Sequence, residues 1–513
     1  MATKAELKAY FETGDRPQSS QYNELIDETY NYETWTEWVD LGGISSGGLI
    51  NIVQDYLSAS PIQLTNVTDI ILDGNGNTIQ LIAGAHDYIL SIGTGCERIT
   101  IRNFIFLGED TGTFDAANEH VGIIIDGATA PEIVTIENCT FKGFDSHAID
   151  VVKTGATLKT LGVTIDKCVF YDCQYDSGAA SPQSAIELQD DGEFVTITNS
   201  RFYNVPTAIR GSSANVVIDN NVITECIGGA VTGALPTTKG MIFLTNGTTS
   251  GKSIITNNRI YNNLVNVYGL YISGESAAPQ NIFQLANNSI MENTANDVNG
   301  GGQAYFVDCD NLVIVGDTYG CHNTTAASTP VVKITDSVNV RVSGCFFFDA
   351  DYGLEISETS GDKCSVTVRD CNFDSHDSGY ITTSGTGTPT LILPDSFIVP
   401  ASDEDTDLIV DTGVFTFPMT FPFYLIDLIA TVKTAPTGAA IQVDVNDDAA
   451  TILSTKLTID TAEKTSVTAA TPVVLSANEI AAGSEMTIDI DVVGSGTAGK
   501  ALKIAFIGIF KKT

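Results

Sequence analysis

Apolar and polar positions alternate with period two through the middle of this chain, and one octapeptide pattern keeps returning. It carries three alternating apolar positions, a polar pair, a small or polar residue and a returning apolar one. The copies are ITIRNFIF (99–106), VTIENCTF (134–141), VTIDKCVF (163–170), VTITNSRF (195–202), VVIDNNVI (216–223), SIITNNRI (253–260), FQLANNSI (283–290), LVIVGDTY (312–319), VRVSGCFF (340–347) and VTVRDCNF (366–373). Their sixth positions recur about every thirty residues. Period two means strand, and a unit this short must stack on its neighbours to bury its apolar face.

A second column of short strands follows in phase: AIDV at 148, AIEL at 185, AIRG at 208, MIFL at 241, GLYI at 269, AYFV at 304, VVKI at 331 and GLEI at 353. Two columns in phase predict two faces of one coil, a parallel β-helix with equivalent residues about 4.8 Å apart on successive coils. Parallel crossovers are strongly right-handed, so a right-handed coil is expected. Cys139, Cys168, Cys345 and Cys371 share the sixth position with Asn221, Asn258 and Asn288. Stacked amides can satisfy one another along the coil axis, and the cysteines there read as small buried residues rather than disulfides or metal ligands.

The flanks differ. Residues 1–43 predict two short helices, AELKAYFET and SSQYNELIDETY, separated by Gly14-Asp15-Arg16-Pro17 and followed by Trp35 and Trp38. Residues 44–393 form the solenoid. From 394 to 513, strands such as IQVDV, MTIDIDV and ALKIAFIGIF, punctuated by Gly, Pro and Asp, predict an antiparallel β-sandwich. The fold class is therefore all-β, a right-handed parallel β-helix with a short helical N-terminal segment and a C-terminal sandwich.

Composition narrows the function. The 513 residues are 43% hydrophobic and 17% charged, with 63 acids against 25 Lys and Arg and a net charge of -38. Such a field repels phosphate backbones and anionic lipid, so neither nucleic acid nor membrane insertion is expected. A neutral or weakly charged glycan is the easier ligand, and a strongly anionic one is disfavoured unless the few cations cluster. The opening MATKAELKAY lacks an apolar secretory core and no stretch suits a bilayer span, so a product made in the cytoplasm is expected. No phosphate loop, nucleophile elbow or zinc spacing is present, and no cofactor or metal is called for.

The segment KAELKAYFETGDRPQSSQYNELID (4–27), with its Phe-x-Thr-Gly-Asp-x-Pro element, resembles the start of many tailed-bacteriophage tail proteins, and FYLIDLIATVKTAPTGAAIQVDVN (423–446) resembles C-terminal sandwich domains of the same class. The coil resembles pectate-lyase-like folds, which host lyases, hydrolases and inert fibres alike. The resemblance to tailspikes and receptor-binding tail fibres implies a homotrimer, attached through the N-terminal segment to a virion tail or baseplate protein, with the coil facing a bacterial surface glycan. It implies a virion location after assembly in the bacterial cytoplasm.

Candidate chemistry sits in the third residue of the second strand series, which alternation turns outward. In order it reads Asp150, Glu187, Arg210, Phe243, Tyr271, Phe306, Lys333 and Glu355. Acids on adjacent coils approach about 5 Å, the separation in retaining glycosidases. Asp150 and Glu187 are thus the first catalytic pair, their repulsion expected to raise one pKa while Arg210 holds the other ionised. His147 and Asp190 extend the cluster, and Phe243, Tyr271 and Phe306 offer surfaces for sugar stacking. Two weaker candidates follow. FDSH recurs at 144 and 373, and Asp444, Asn446, Asp447 and Asp448 mimic calcium ligands but read as a hairpin turn. Two functions remain open: a spike that recognises a surface polysaccharide and cleaves it as hydrolase or lyase, and a non-catalytic structural or adhesion fibre whose outer charges are a solvated face.

Overall fold

The computed structural model describes residues 31–32, 47–58, 61–81, 87–108, 120–126, 133–144, 146–152, 162–173, 184–189, 194–212, 215–226, 240–245, 251–265, 268–274, 282–295, 302–320, 330–359, 364–385, 389–392 and 395–510. The predicted N-terminal helices and both tryptophans lie outside these residues. The chain divides into two compact units, one of residues 1–340, 347–364 and 374–389, the other of 341–346, 365–373 and 390–513.

The first unit is a parallel β-helix, and each coil contributes to three ladders rather than two. The octapeptide is not one strand. Its first half pairs in one ladder, as Val134, Thr135 and Ile136 do with Val163, Thr164 and Ile165. Its second half pairs in another, as Thr140–Phe141–Lys142 with Val169–Phe170–Tyr171. Between them the fifth residue turns the chain. Asn103, Asn138, Lys167, Asn199, Asn220, Asn257, Asn287, Gly316, Gly344 and Asp370 all hold a left-handed φ of 51–68°. Asn, Asp and Gly tolerate that conformation better than other residues, so the polar pair is a bend signal. The third ladder carries the second column of short strands, with Ile149–Asp150–Val151 paired to Ile186–Glu187–Leu188.

The core follows from this register. The eighth octapeptide position stacks Phe106, Phe141, Phe170 and Phe202, all buried, with centroids 4.7–5.0 Å apart and nearly parallel rings. Sixth-position side chains point inward too. Ser200, Asn221, Asn258, Asn288 and Asp317 form a buried ladder in which Asn258 Oδ1 accepts from the Asn221 amide at 3.1 Å and Asn288 Oδ1 from Asn258 at 3.0 Å. A second ladder runs Asn263–Asn293–Gln303. Each amide also donates to a backbone carbonyl, so no polarity is stranded. Cys139 and Cys168 occupy the same column, and the nine cysteines among the described residues are buried and free, as small core residues.

In the second unit, Asp395–Pro400, Phe423–Thr431, Glu479–Ile480 and Lys503–Phe510 make an antiparallel sheet. Asp411–Pro418, Ile441–Asp447, Ala450–Thr451, Leu457–Ile459 and Glu485–Val492 make another. Both sheets contribute to one apolar core, including Phe423, Leu428, Ile441, Val443, Ile488 and Phe506. Asp447 pairs with Ala450 across Asp448 and Ala449, both at positive φ, which is a two-residue hairpin turn. Asp444 there meets Lys456 Nζ at 2.9 Å and Asn446 donates to Asp489 at 2.9 Å. No metal-ligating cluster is found among the described residues.

Candidate functional site

The outer middle position of each third-ladder strand forms a continuous column through register partners: Asp150 with Glu187, Glu187 with Arg210, Arg210 with Phe243, Phe243 with Tyr271, Tyr271 with Tyr305, Tyr305 with Lys333 and Lys333 with Glu355. One expected member is displaced. Phe306 pairs with Ile272 and is fully buried in the coil interior, so it cannot touch a sugar. AYFV holds aromatics at two consecutive positions, and counting from Ala304 picks the inward one, whereas Tyr305 is the outward residue.

The column begins acidic. Asp150 and Glu187 are 6% and 7% exposed, which a solvated face would not be. Gln189 Nε2 donates to both Asp150 oxygens at 3.3 and 3.2 Å. Arg210 Nη1 lies 3.4 Å from Glu187 Oε1, while Ser184 Oγ donates to Glu187 Oε2 at 2.9 Å. Burial raises the Glu187 carboxyl to about 6 against the opposing pull of Arg210 and Ser184. Desolvation, rather than repulsion from Asp150, is thus the cause, and Arg210 acts on the same carboxyl that burial raises.

His147 joins this group through Ser184. Its Nδ1 sits 3.0 Å from the Ser184 carbonyl and 3.2 Å from Ser184 Oγ. A carbonyl only accepts, so the ring proton is on Nδ1, and the hydroxyl that accepts from His147 can pass its own proton toward Glu187. Burial lowers the His147 pKa to about 4, with Arg210 adding to the effect, so the ring is neutral at pH 7. In this geometry its contacts orient Ser184. Asp190 lies outside the described residues.

Gly211, directly after Arg210, has φ 151°, and a Cβ there would stand 2.0 Å from the Leu188 carbonyl oxygen. Only glycine lets the Arg210 coil close onto the Glu187 coil.

The column then turns aromatic. Phe243 and Tyr271 have centroids 5.2 Å apart, Tyr271 and Tyr305 meet edge to face at 5.3 Å, and Tyr268 flanks Tyr305 at 5.0 Å. Tyr271 is only 4% exposed, so Phe243 and Tyr305 carry most of the accessible ring surface. Lys333 Nζ lies 5.9 Å over the Tyr305 ring and 3.1 Å from Glu355, to which Ser384 Oγ donates at 2.6 Å.

Residues 70–319 match a family model described as a right handed beta helix region. This stretch is a right-handed parallel β-helix. No curated protein matches the chain. Among solved structures, similarity extends to the A-module of mannuronan C-5 epimerase AlgE4 from Azotobacter vinelandii, at 16% identity and TM-score 0.41, covering 74% of this chain and 99% of that one. It extends to PfbA, a surface adhesin of Streptococcus pneumoniae, at 16% identity and TM-score 0.45, covering 74% and 92%. The Dettilon tailspike protein is similar at 11% identity and TM-score 0.42, covering 90% and 88%. Likenesses of this size say nothing about ligand or activity.

Besides Tyr305, Ser184 and Gln189 are site residues that strand counting misses. Both flank the strand Ile186–Leu188 rather than lying in it. Ser184 sits one residue before the AIEL run, and Gln189 follows it directly. That placement beside a candidate acid is the signal that could have found them.

Proposed function

We propose that this chain is a virion tailspike or tail fibre that binds a bacterial surface polysaccharide along the outer face of the third ladder and hydrolyses it at Asp150 and Glu187. The observation that carries the reading is the in-register column of two carboxylates, a guanidinium and three aromatic rings on successive coils. Adjacent coils are about 4.8 Å apart, which sets the two carboxyl groups near the roughly 5 Å separation of retaining glycosidases. Glu187, with a pKa of about 6, donates a proton to the glycosidic oxygen, while Asp150 on the neighbouring coil attacks the anomeric carbon to form a glycosyl ester. Water then releases the sugar, with Glu187 taking back its proton. Arg210 steadies the carboxylate Glu187 becomes, and the aromatic rows beyond it hold the adjoining sugar faces.

The N-terminal and C-terminal resemblances to phage tail proteins support the virion setting, the attachment of residues 1–43 to a tail or baseplate protein, and the homotrimer. A second reading, a binding fibre without catalysis, is favoured by the depth of burial of Asp150 and Glu187. The two separate on incubation of the full chain with capsule or lipopolysaccharide from candidate hosts. A rise in reducing ends without absorbance from an unsaturated sugar supports hydrolysis, and a rise in both replaces it with elimination. Binding alone supports the fibre, and absence of binding to every glycan overturns both.

A further inference from the structure

The outer face of the second ladder repeats a different chemistry. Its strands Thr140–Lys142, Val169–Tyr171, Arg201–Tyr203, Val222–Thr224 and Arg259–Tyr261 pair in register, so Lys142, Tyr171, Tyr203, Thr224 and Tyr261 stand in one outward column. Arg201 and Arg259 stand two residues earlier on the same face, one coil apart from Val222 on either side. The middle residues Phe141, Phe170, Phe202, Ile223 and Ile260 are buried, which fixes the flanking positions outward.

Two Arg-apolar-Tyr units, RFY at 201–203 and RIY at 259–261, therefore present a guanidinium and a phenol side by side. Tyr203 is 44% exposed. The Arg259 guanidinium lies 5.3 Å over the Tyr261 ring and Lys142 Nζ lies 5.1 Å over Tyr171. Arg201 and Arg259 are exposed and make no ion pair among the described residues. Acids follow the strip at its turns: Asp172 takes Lys142 at 3.7 Å and Asn204 at 2.9 Å, Glu225 takes the Tyr203 hydroxyl, and Glu292 is exposed one coil beyond Tyr261. In a chain with 25 basic residues against 63 acids, three cations beside three acids make this face close to neutral, a local relief of the overall negative charge.

We infer that this face is a second, separate saccharide site, and that it takes a carboxylate-bearing oligosaccharide lying along the coil axis. A planar guanidinium meets a sugar carboxylate with two parallel hydrogen bonds, and a tyrosine ring packs on the apolar face of the same pyranose. Tyr171 to Tyr261 spans three coil steps, about 14 Å, the length of a short oligosaccharide. The net charge repels polyanions at long range, and on this face the two exposed guanidiniums of Arg201 and Arg259 offer a carboxylate a local partner. The inference does not depend on hydrolysis at Glu187.

The test is binding of the full chain to a panel of acidic oligosaccharides, namely oligogalacturonate, oligomannuronate and a sialylated oligosaccharide, each beside its carboxyl-esterified form, by titration calorimetry. At least one acid form is expected to bind, its ester at least about tenfold more weakly, and R201A/R259A to lose the same factor. The loss in R201A/R259A, whose side chains stand on the second ladder and not the third, is what places the ligand on this face. Tyr203→Ala weakens both acid and ester. Unchanged melting of R201A/R259A excludes misfolding. Equal affinity of acid and ester, equal affinity of parent and R201A/R259A, or no binding by any panel member overturns the inference. So does a change of oligomeric state in R201A/R259A by sedimentation, which makes this face a contact between copies of the chain.

Discussion

Two carboxyl groups in the same coil stack are buried and raised to about 6, yet their surroundings oppose each other. Asp317, inside the helix, accepts from the Asn288 backbone N–H at 2.7 Å, from the Asn288 amide and from Tyr319 Oη at 2.8 Å. It ends a column of amides. Glu187, on the outer face, meets one hydroxyl and one guanidinium, and its column neighbours are an acid and a cation. A perturbed pKa alone therefore does not mark chemistry here. What differs is the column: Asp317 completes an architectural ladder, while Glu187 stands among groups that a core does not need.

The largest expected contrast is in turnover. Glu187→Gln should cut reducing-end release by about 100-fold or more while leaving glycan affinity within a few-fold, as expected for loss of a general acid. Asp317→Asn should leave turnover unchanged. If both variants fall together, the contrast dissolves. Gly211→Ala should lose several kcal/mol of stability by pushing the Arg210 coil off the Leu188 carbonyl, a cost read as a lowered melting temperature.

Next comes pH. The folded pKa of Asp317 is about 6 against an ordinary 3.8, so its ionisation opposes folding. That penalty is absent below the unfolded value and complete above the folded one. The difference in unfolding free energy between parent and Asp317→Asn should move by up to roughly 3 kcal/mol toward the variant between pH 4 and pH 7. His147 acts in the opposite sense: lowered to about 4 from 6.5, its contribution is complete above pH 6.5 and is lost as pH falls toward 4. A parent-minus-variant difference that stays flat across this range contradicts the assignment. The smallest effect is that of Asn258→Ala, about 1–3 kcal/mol, because it leaves the Asn221 amide short of one acceptor in the interior.

The stacking was legible because ten octapeptides keep one register, and the pairing of Asp150 with Glu187 was readable from that alone. The bend inside each octapeptide was not read, although Asn at the fifth position carries it. Counting along AYFV misplaced Phe306 by one residue, since strand ends do not show where alternation starts. Burial of Asp150 and Tyr271 was invisible for a different reason. Exposure of an outward side chain depends on what folds over the strand, which period-two patterning does not encode. Ser184 joins Glu187, three residues on, to His147, thirty-seven positions away in the chain, and the second of these contacts is not visible in the spacing.

The most direct examination of the central claim is a crystal structure of the full chain bound to a fragment of the host glycan that Glu187→Gln leaves uncut. The account predicts a glycosidic oxygen within hydrogen-bond reach of residue 187, the anomeric carbon facing Asp150 and sugar rings lying on Phe243 and Tyr305. Sugar density confined to other surfaces, with the Asp150–Glu187 face bare, would contradict it.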